Sequence, residues 1–304
     1  NLRGEIKEQV EMPVSGKDGW KELELVCQII NELKDKQLHP IVGIGVGTAG
    51  LVNRSEGTVV NAVNLDWKDF PLGPLLAKKF GIPVSVLNDS QAGAMGEYVY
   101  GGDYRSDENL IVVNVNQGIG SGIFLNGQLF QGDGGGAGEI GHVVVVEENG
   151  KLCRCGRHGC LETVSNVPIV LEQLHLHSIE EVRAALQAGD PHAIEVVKRA
   201  AHYLGIALAN VISILNIHKI VLIGEMTLLG EIWLDEVRAS MARSALEHIS
   251  RETTLSIGEL GYRAGILGAS ASLLLDSYAV LFLQDDRTHE GPVLATKRSV
   301  LGIA

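Results

Sequence analysis

Between residues 139 and 162 the chain reads EIGHVVVVEENGKLCRCGRHGCLE, which gathers Cys153, Cys155 and Cys160 into one short window downstream of His142. Secreted disulfide folds spread an even set of cysteines along the chain, whereas a C-x-C-x4-C cluster points to metal-ligating thiolates. Three thiolates and one imidazole close a tetrahedral shell around a borderline-soft ion, so a structural Zn²⁺ is expected on His142, Cys153, Cys155 and Cys160. His158 competes for the fourth place, but it sits inside the loop between two of the cysteines, and His142 is preferred. Gly156 and Gly159 supply the backbone freedom of a tight ligand loop. The alternative is a reduced cysteine-rich loop that holds no metal. A metal that fixes the loop also fixes Glu139 and Glu162 on either side of it. Carboxylates held beside a glycine-rich turn are good acceptors for sugar hydroxyls, although either alone would ordinarily be a surface ion-pair partner.

The rest of the chain alternates strands and helices. The stretch NLRGEIKEQVEMPV has strand-like spacing around a turn at Arg3-Gly4 and reads as the second half of a hairpin, so a first strand is expected upstream of Asn1. Helical spacing from Trp20 to Lys36 turns Cys27 toward a core, which sets it apart from the other cysteines. IVGIGVG reads as a buried strand. PLGPLLAKKFG reads as a short helix ended by Gly81, and PVSVL as a strand leading into NDSQAGAMGEYVY. Asn126-Gly127 between alternating segments is a two-residue hairpin signal, and Asp190-Pro191 opens a long helix. A final buried helix is expected from about Gly265 to Leu283. This pattern predicts a mixed α/β protein with ligands at strand-to-helix ends. The expected division is a first lobe over 1–115, a second lobe over 116–283 and a loose tail over 284–304.

Composition narrows the partners. With 304 residues, 45% of them hydrophobic, the chain can bury a large core, and a net charge of −12 leaves no basic surface for tracking phosphates. No apolar run reaches the roughly 18 residues of a membrane span and no leader-like segment opens the chain, so no membrane partner and a cytoplasmic location are expected. Asn88-Asp89 follows a short strand and begins a helix. There Asp89 could take a proton from a hydroxyl and Asn88 could donate to it, while the plainer reading is a helix N-cap.

Across nearly its whole length the chain resembles the ROK family (repressors, open reading frames, kinases). VGIGVGTAGLVN, NLDWKDFPL, LNDSQAGAMGEY, GIGSGIFLNGQLFQGDGGGAGEIGH and CRCGRHGCLE carry the resemblance. It implies an actin-like, ribonuclease-H-like, two-lobed ATPase-type fold, a homodimer or higher homo-oligomer, and a monosaccharide in the interlobe cleft. Gly50, Asn88, Asp89, Glu139, His142 and Glu162 would hold the sugar. His142 would turn one ring nitrogen to the metal and the other to a hydroxyl. In a kinase of the family Asp89 would be the catalytic base, with Gly118, Gly120 and Gly224 facing ATP and Mg²⁺.

Kinase and repressor then have to be weighed. Phosphoryl transfer needs a glycine-rich cradle of backbone N–H groups. The family's first phosphate loop would lie upstream of Asn1. Its second, Gly-Thr-Gly-x-Gly, reads NQGIG here, with Asn116 and Gln117 in place of Gly and Thr. Its third reads IGEMT, where Glu225 adds negative charge beside a polyanion. Family repressors keep the sugar site while these loops degenerate, and they carry a winged helix-turn-helix upstream. The expectation is a sugar-sensing repressor domain whose operator DNA is met through an upstream domain; an ATP-dependent sugar kinase of hexokinase type is the alternative, and a sugar-binding module without DNA or ATP ranks third.

Overall fold

In chain order the elements are α1 (Gly19–Asp35), β1 (Ile44–Thr48), β2 (Leu51–Asn53), β3 (Thr58–Ala62), β4 (Trp67–Phe70), α2 (Leu72–Phe80), β5 (Val84–Asn88) and α3 (Asp89–Gly96). They continue with β6 (Leu110–Val115), β7 (Ile119–Leu125), β8 (Gln128–Phe130), α4 (Glu162–Ser165), α5 (Val167–Leu174), α6 (Ile179–Gln187) and α7 (Pro191–Leu215). The last are β9 (Lys219–Ile223), α8 (Glu231–Ser244), α9 (Glu247–Glu252), β10 (Thr254–Ile257) and α10 (Ala264–Phe282). This computed structural model describes residues 1, 3–13, 18–36, 40–102, 104 and 108–282. The expected tail, 284–304, lies outside them.

The chain forms two compact units. The first takes the N-terminal residues to Ser106, the short segment Gln131–Gly136 and the chain from Arg263 onward. The second takes Asp107–Phe130 and Ala137–Tyr262. The division expected from sequence put 116–283 in one lobe. The two units differ from it: β6 lies in the second unit, Gln131–Gly136 in the first, and α10 packs on α3 and β1 of the first unit.

Glycine explains that packing. A methyl on Gly45 of β1 would lie 2.1 Å from the Ala269 carbonyl oxygen, and one on Gly268 of α10 would lie 1.7 Å from that of Ala92 in α3. Such backbone-to-backbone approach leaves no room for any side chain. β1 and β5 pair in parallel, and β2, β3 and β4 form an antiparallel sheet over Leu72, Leu76 and Val86. Cys27 of α1 joins this core at 5% exposure, as its helical spacing predicts. The N-terminal hairpin reading fails over its described part. Residues 3–13 make the turn at Gly4 but no strand, with Ile6 solvent-facing, while Leu2 and Val14 lie outside the described residues. Alternation alone does not hold a strand without a partner to pair with.

In the second unit the order β10-β9-β6-β7-β8 makes a five-stranded sheet, parallel through β10, β9 and β6 and antiparallel through β7 and β8. β6 is the central strand, buried at all but Asn114. Asn126 and Gly127, at φ 50° and 74°, make the expected tight turn between β7 and β8. α7 opens on Asp190, whose carboxylate accepts from the His192 and Ala193 N–H groups ahead of Pro191. It buries Val197, Ala201, Leu204, Leu208 and Ile212 along one stripe.

Two glycines of α10 separate packing from propensity. Gly268→Ala drives a methyl into the Ala92 carbonyl and is expected to destabilise the chain by about 1–3 kcal/mol. At Gly265 an added methyl meets nothing within 4 Å, so Gly265→Ala should be neutral or stabilising by up to about 1 kcal/mol. Chemical denaturation of the two variants checks the opposite signs.

Candidate functional site

In the first unit the site residues stand at the C-terminal ends of the parallel strands, where α/β sheets place their ligands. β1 ends at Thr48 and β5 at Asn88, which are partners in register. Asn88 caps α3: its Oδ1 accepts from the Ser90 and Gln91 N–H groups at 2.9 and 3.3 Å. Its amide donates to the Gly50 carbonyl at 2.9 Å. The capping role and the placing of Gly50 are therefore one arrangement, and the second amide hydrogen of Asn88 is left for another acceptor. Gly50 stands at φ +91°, where a methyl would meet the Asn61 carbonyl oxygen at 2.3 Å. Asp89 follows as the exposed first residue of α3, its Oδ1 accepting from the Ser90 N–H at 2.7 Å. Negative charge there is favoured by the helix N-terminus.

In the second unit His142, Cys153, Cys155 and Cys160 bring their ligand atoms within 4.8 Å of one another. Cys155 and Cys160 Sγ atoms stand 3.6 Å apart, and Cys153 Sγ is 3.6 Å from His142 Nδ1. Ligands at ~2.3 Å from a tetrahedral ion lie ~3.8 Å from each other, so the four residues fit a metal of zinc size and softness. His158 faces away, with its Nδ1 on the Gly150 carbonyl. The loop is closed by hydrogen bonds from the Cys153 N–H to the Arg157 carbonyl and from the Gly156 N–H to the Cys153 carbonyl. Gly159 is obligatory, since a methyl there would lie 1.8 Å from the Val146 carbonyl oxygen.

The thiols are crowded. Burial, and then the neighbouring thiols, push Cys160 up to about 12, and burial raises Cys153. Burial also raises Cys155, but the Arg157 backbone hydrogen bond and the other thiols outweigh it and leave it below the usual range. A cation that gathers the three as thiolates has to displace protons.

The carboxylates flank this cluster. Glu139 Oε2 lies 3.8 Å from His142 Nε2, so the imidazole shows one nitrogen to the thiols and the other to a carboxylate. Glu162 opens α4 with its side chain 8% exposed; its Oε2 accepts from the Ile119 N–H at 3.1 Å and its Oε1 pairs with Arg154 at 2.5 Å. Arg154, between two of the cysteines, was not singled out from the sequence. Neither was Asn166, whose amide donates to the Gln117 carbonyl at 2.9 Å. A charged residue inside a ligand loop was the one available signal for Arg154.

The glycines expected to face a nucleotide share one end of the second sheet, where β6 and β9 finish and β7 begins. Gly118 lies in the turn after β6, Gly120 sits in β7 opposite Asn114, and Gly224 follows β9. Gly224, at φ +98°, comes within 2.5 Å of the Val115 carbonyl oxygen once a methyl is added. Asn116 donates its N–H to the Gly118 carbonyl, and its own carbonyl accepts from Val167.

A family model described as "ROK family" matches residues 1–276. The chain belongs to the ROK family. Among ROK proteins it is 33% identical to the glucokinase of Halalkalibacterium halodurans over 87% of this chain and 87% of that one. It is 28% identical to the xylose repressor of Caldicellulosiruptor bescii, over 91% of this chain and 74% of the other. The ROK family glucokinase from Streptomyces griseus, solved in complex with glucose and AMPPNP, superposes with TM-score 0.80 at 27% identity, covering 90% of this chain and 93% of that one. The α/β fold is thus the actin-like fold of ROK sugar kinases, and ROK relatives of both kinds, kinase and repressor, are similar to this chain. Among the described residues no helix is long and apolar enough to cross a membrane.

Protein purified without chelator is expected to carry about one equivalent of zinc by elemental analysis. Cys155→Ser should lose most of it. Zinc uptake should release protons, so its apparent affinity should rise between about pH 6 and about pH 8, as competition titrations at several pH values would show.

Proposed function

We propose that this chain is the sugar-sensing domain of a ROK repressor. It binds a monosaccharide through Gly50, Asn88, Asp89, Glu139, His142 and Glu162, and it holds a structural Zn²⁺ on His142, Cys153, Cys155 and Cys160. Operator DNA is met through a separate upstream domain, and the working form is a homodimer in the cytoplasm. Zinc supplies a crosslink that fixes the loop; the chain's own carboxylates and amides do the recognition. Charge-assisted hydrogen bonds from sugar hydroxyls to Asp89, Glu139 and Glu162 are the strong contacts of such a site.

One observation carries the reading against catalysis. Two N–H groups of the loop from Asn116 to Gly120 are spent on the protein: that of Asn116 on the Gly118 carbonyl and that of Ile119 on the Glu162 carboxylate. A phosphate cradle needs such N–H groups free and positively polarised, without a carboxylate bonded to one of them. Asn116 and Gln117 add side chains where phosphate would have to approach backbone, and the buried Asn116 Oδ1 has no hydrogen-bond partner of its own. Glu225, one residue past Gly224, adds a further negative charge.

The second reading is an ATP-dependent sugar kinase, favoured by the identity to glucokinases. In it Asp89 takes the proton of the attacking hydroxyl, while Gly118, Gly120 and Gly224 serve ATP with Mg²⁺.

Asp89→Asn separates the two. In the sensor it weakens monosaccharide binding roughly ten- to a hundred-fold, since a charge-assisted bond is lost. In a kinase it leaves binding within a few-fold and removes turnover by ~10²-fold or more. Calorimetry and a coupled phosphorylation assay on the same preparations are expected to give the sensor outcome. Sugar phosphorylation by the unsubstituted protein at ~1 s⁻¹ or above would overturn it.

A further inference from the structure

We infer that Arg154 is a positioning residue for sugar recognition, acting through Glu162; the inference rests on the sugar reading above. The ion pair stands on three observations. Arg154 Nη2 lies 2.5 Å from Glu162 Oε1. The Ile119 N–H holds the other oxygen, Oε2, at 3.1 Å. Gly118 leaves the space that the pair fills, because a methyl on it would lie 2.8 Å from both Arg154 Nη2 and Glu162 Oε2.

A nearly buried carboxylate is costly without partners, and one partner alone would let it pivot about that bond. Two partners on different oxygens fix both its position and its plane. Each oxygen has two acceptor directions, so the two bonds leave one direction on each oxygen for a ligand hydroxyl. Arg154 thereby aims Glu162 without competing for it. The guanidinium suits this task because its planar fork holds a carboxylate in one orientation, which a lysine ammonium does less well.

Through Glu162, Arg154 also connects the cysteine loop with the turn after β6. It lies between Cys153 and Cys155, so its backbone is set by the cysteine cluster, while Glu162 lies against the turn after β6. Gly118 accordingly has a use that involves no phosphate: it admits the ion pair.

The test is a double-substitution cycle read by calorimetry, with D-glucose, D-xylose and N-acetyl-D-glucosamine each titrated and the tightest followed. Arg154→Met is expected to weaken binding ~tenfold or more, with metal content at the level of the unsubstituted protein. Arg154→Lys should recover part of the loss. In a Glu162→Gln background Arg154→Met should add no more than ~twofold, because the residue through which it acts is already altered. Unchanged or tighter binding in Arg154→Met would overturn the inference, as would the full loss persisting in the Glu162→Gln background. If the unsubstituted protein bound none of the three sugars, the sugar reading itself would fall and the inference with it.

Discussion

Three thiols and an imidazole meeting within 4.8 Å are the constraint on which the proposed ligand site of the second unit rests. The segment from Val143 to Cys160 has little regular structure, with isolated bridges at Val144–Cys160 and Leu152–His158 in place of a sheet. Backbone bonds such as those from the Val145 and Gly159 N–H groups to the Gly159 and Lys151 carbonyls hold its shape beside the four-donor cluster. Glu139 is tied to it through His142, and Glu162 through Arg154. Both carboxylates thus stand beside the cluster.

Glycine is the second recurrent device, and the geometry separates its two uses. Gly45, Gly96 and Gly268 are demanded by the approach of α10 to β1 and α3. Gly205 of α7 does the same for α8, where a methyl would lie 2.5 Å from Ser240 Cβ. Gly50, Gly118 and Gly224 stand at strand ends, but at Gly50 and Gly224 a backbone carbonyl also excludes any side chain, and at Gly118 an added methyl would crowd the tips of Arg154 and Glu162. A glycine-rich pattern alone therefore says little about phosphate in this fold. What bears on it is where the neighbouring N–H groups go, and those of Asn116 and Ile119 go to the protein.

The sequence was most legible where the signal is local. The choice of His142 over His158 rested on loop position, and His158 indeed turns to the Gly150 carbonyl. Cys27 followed from helical spacing, the turn at Asn126-Gly127 from its residue types, and the α7 start from Asp190-Pro191. The Asn88 cap was read as the plain alternative to ligand contact; the structure shows the cap, made by the oxygen while the amide fixes Gly50. Less legible were tertiary contacts that no local spacing encodes. The packing of α10 on the first unit, the Arg154–Glu162 pair and the Asn166–Gln117 bond leave no periodicity in the chain. The N-terminal alternation failed for the converse reason, since a period of two describes a strand only once a neighbour completes it.

The account's central claim is that the metal-held loop sets the sugar-binding carboxylates. Its most direct test is calorimetric titration of a monosaccharide into the zinc-loaded chain, the chelator-stripped chain and the stripped chain after zinc is returned. The account predicts a loss of affinity of ~tenfold or more on stripping and its recovery on restoration. Equal affinity in all three states would contradict it.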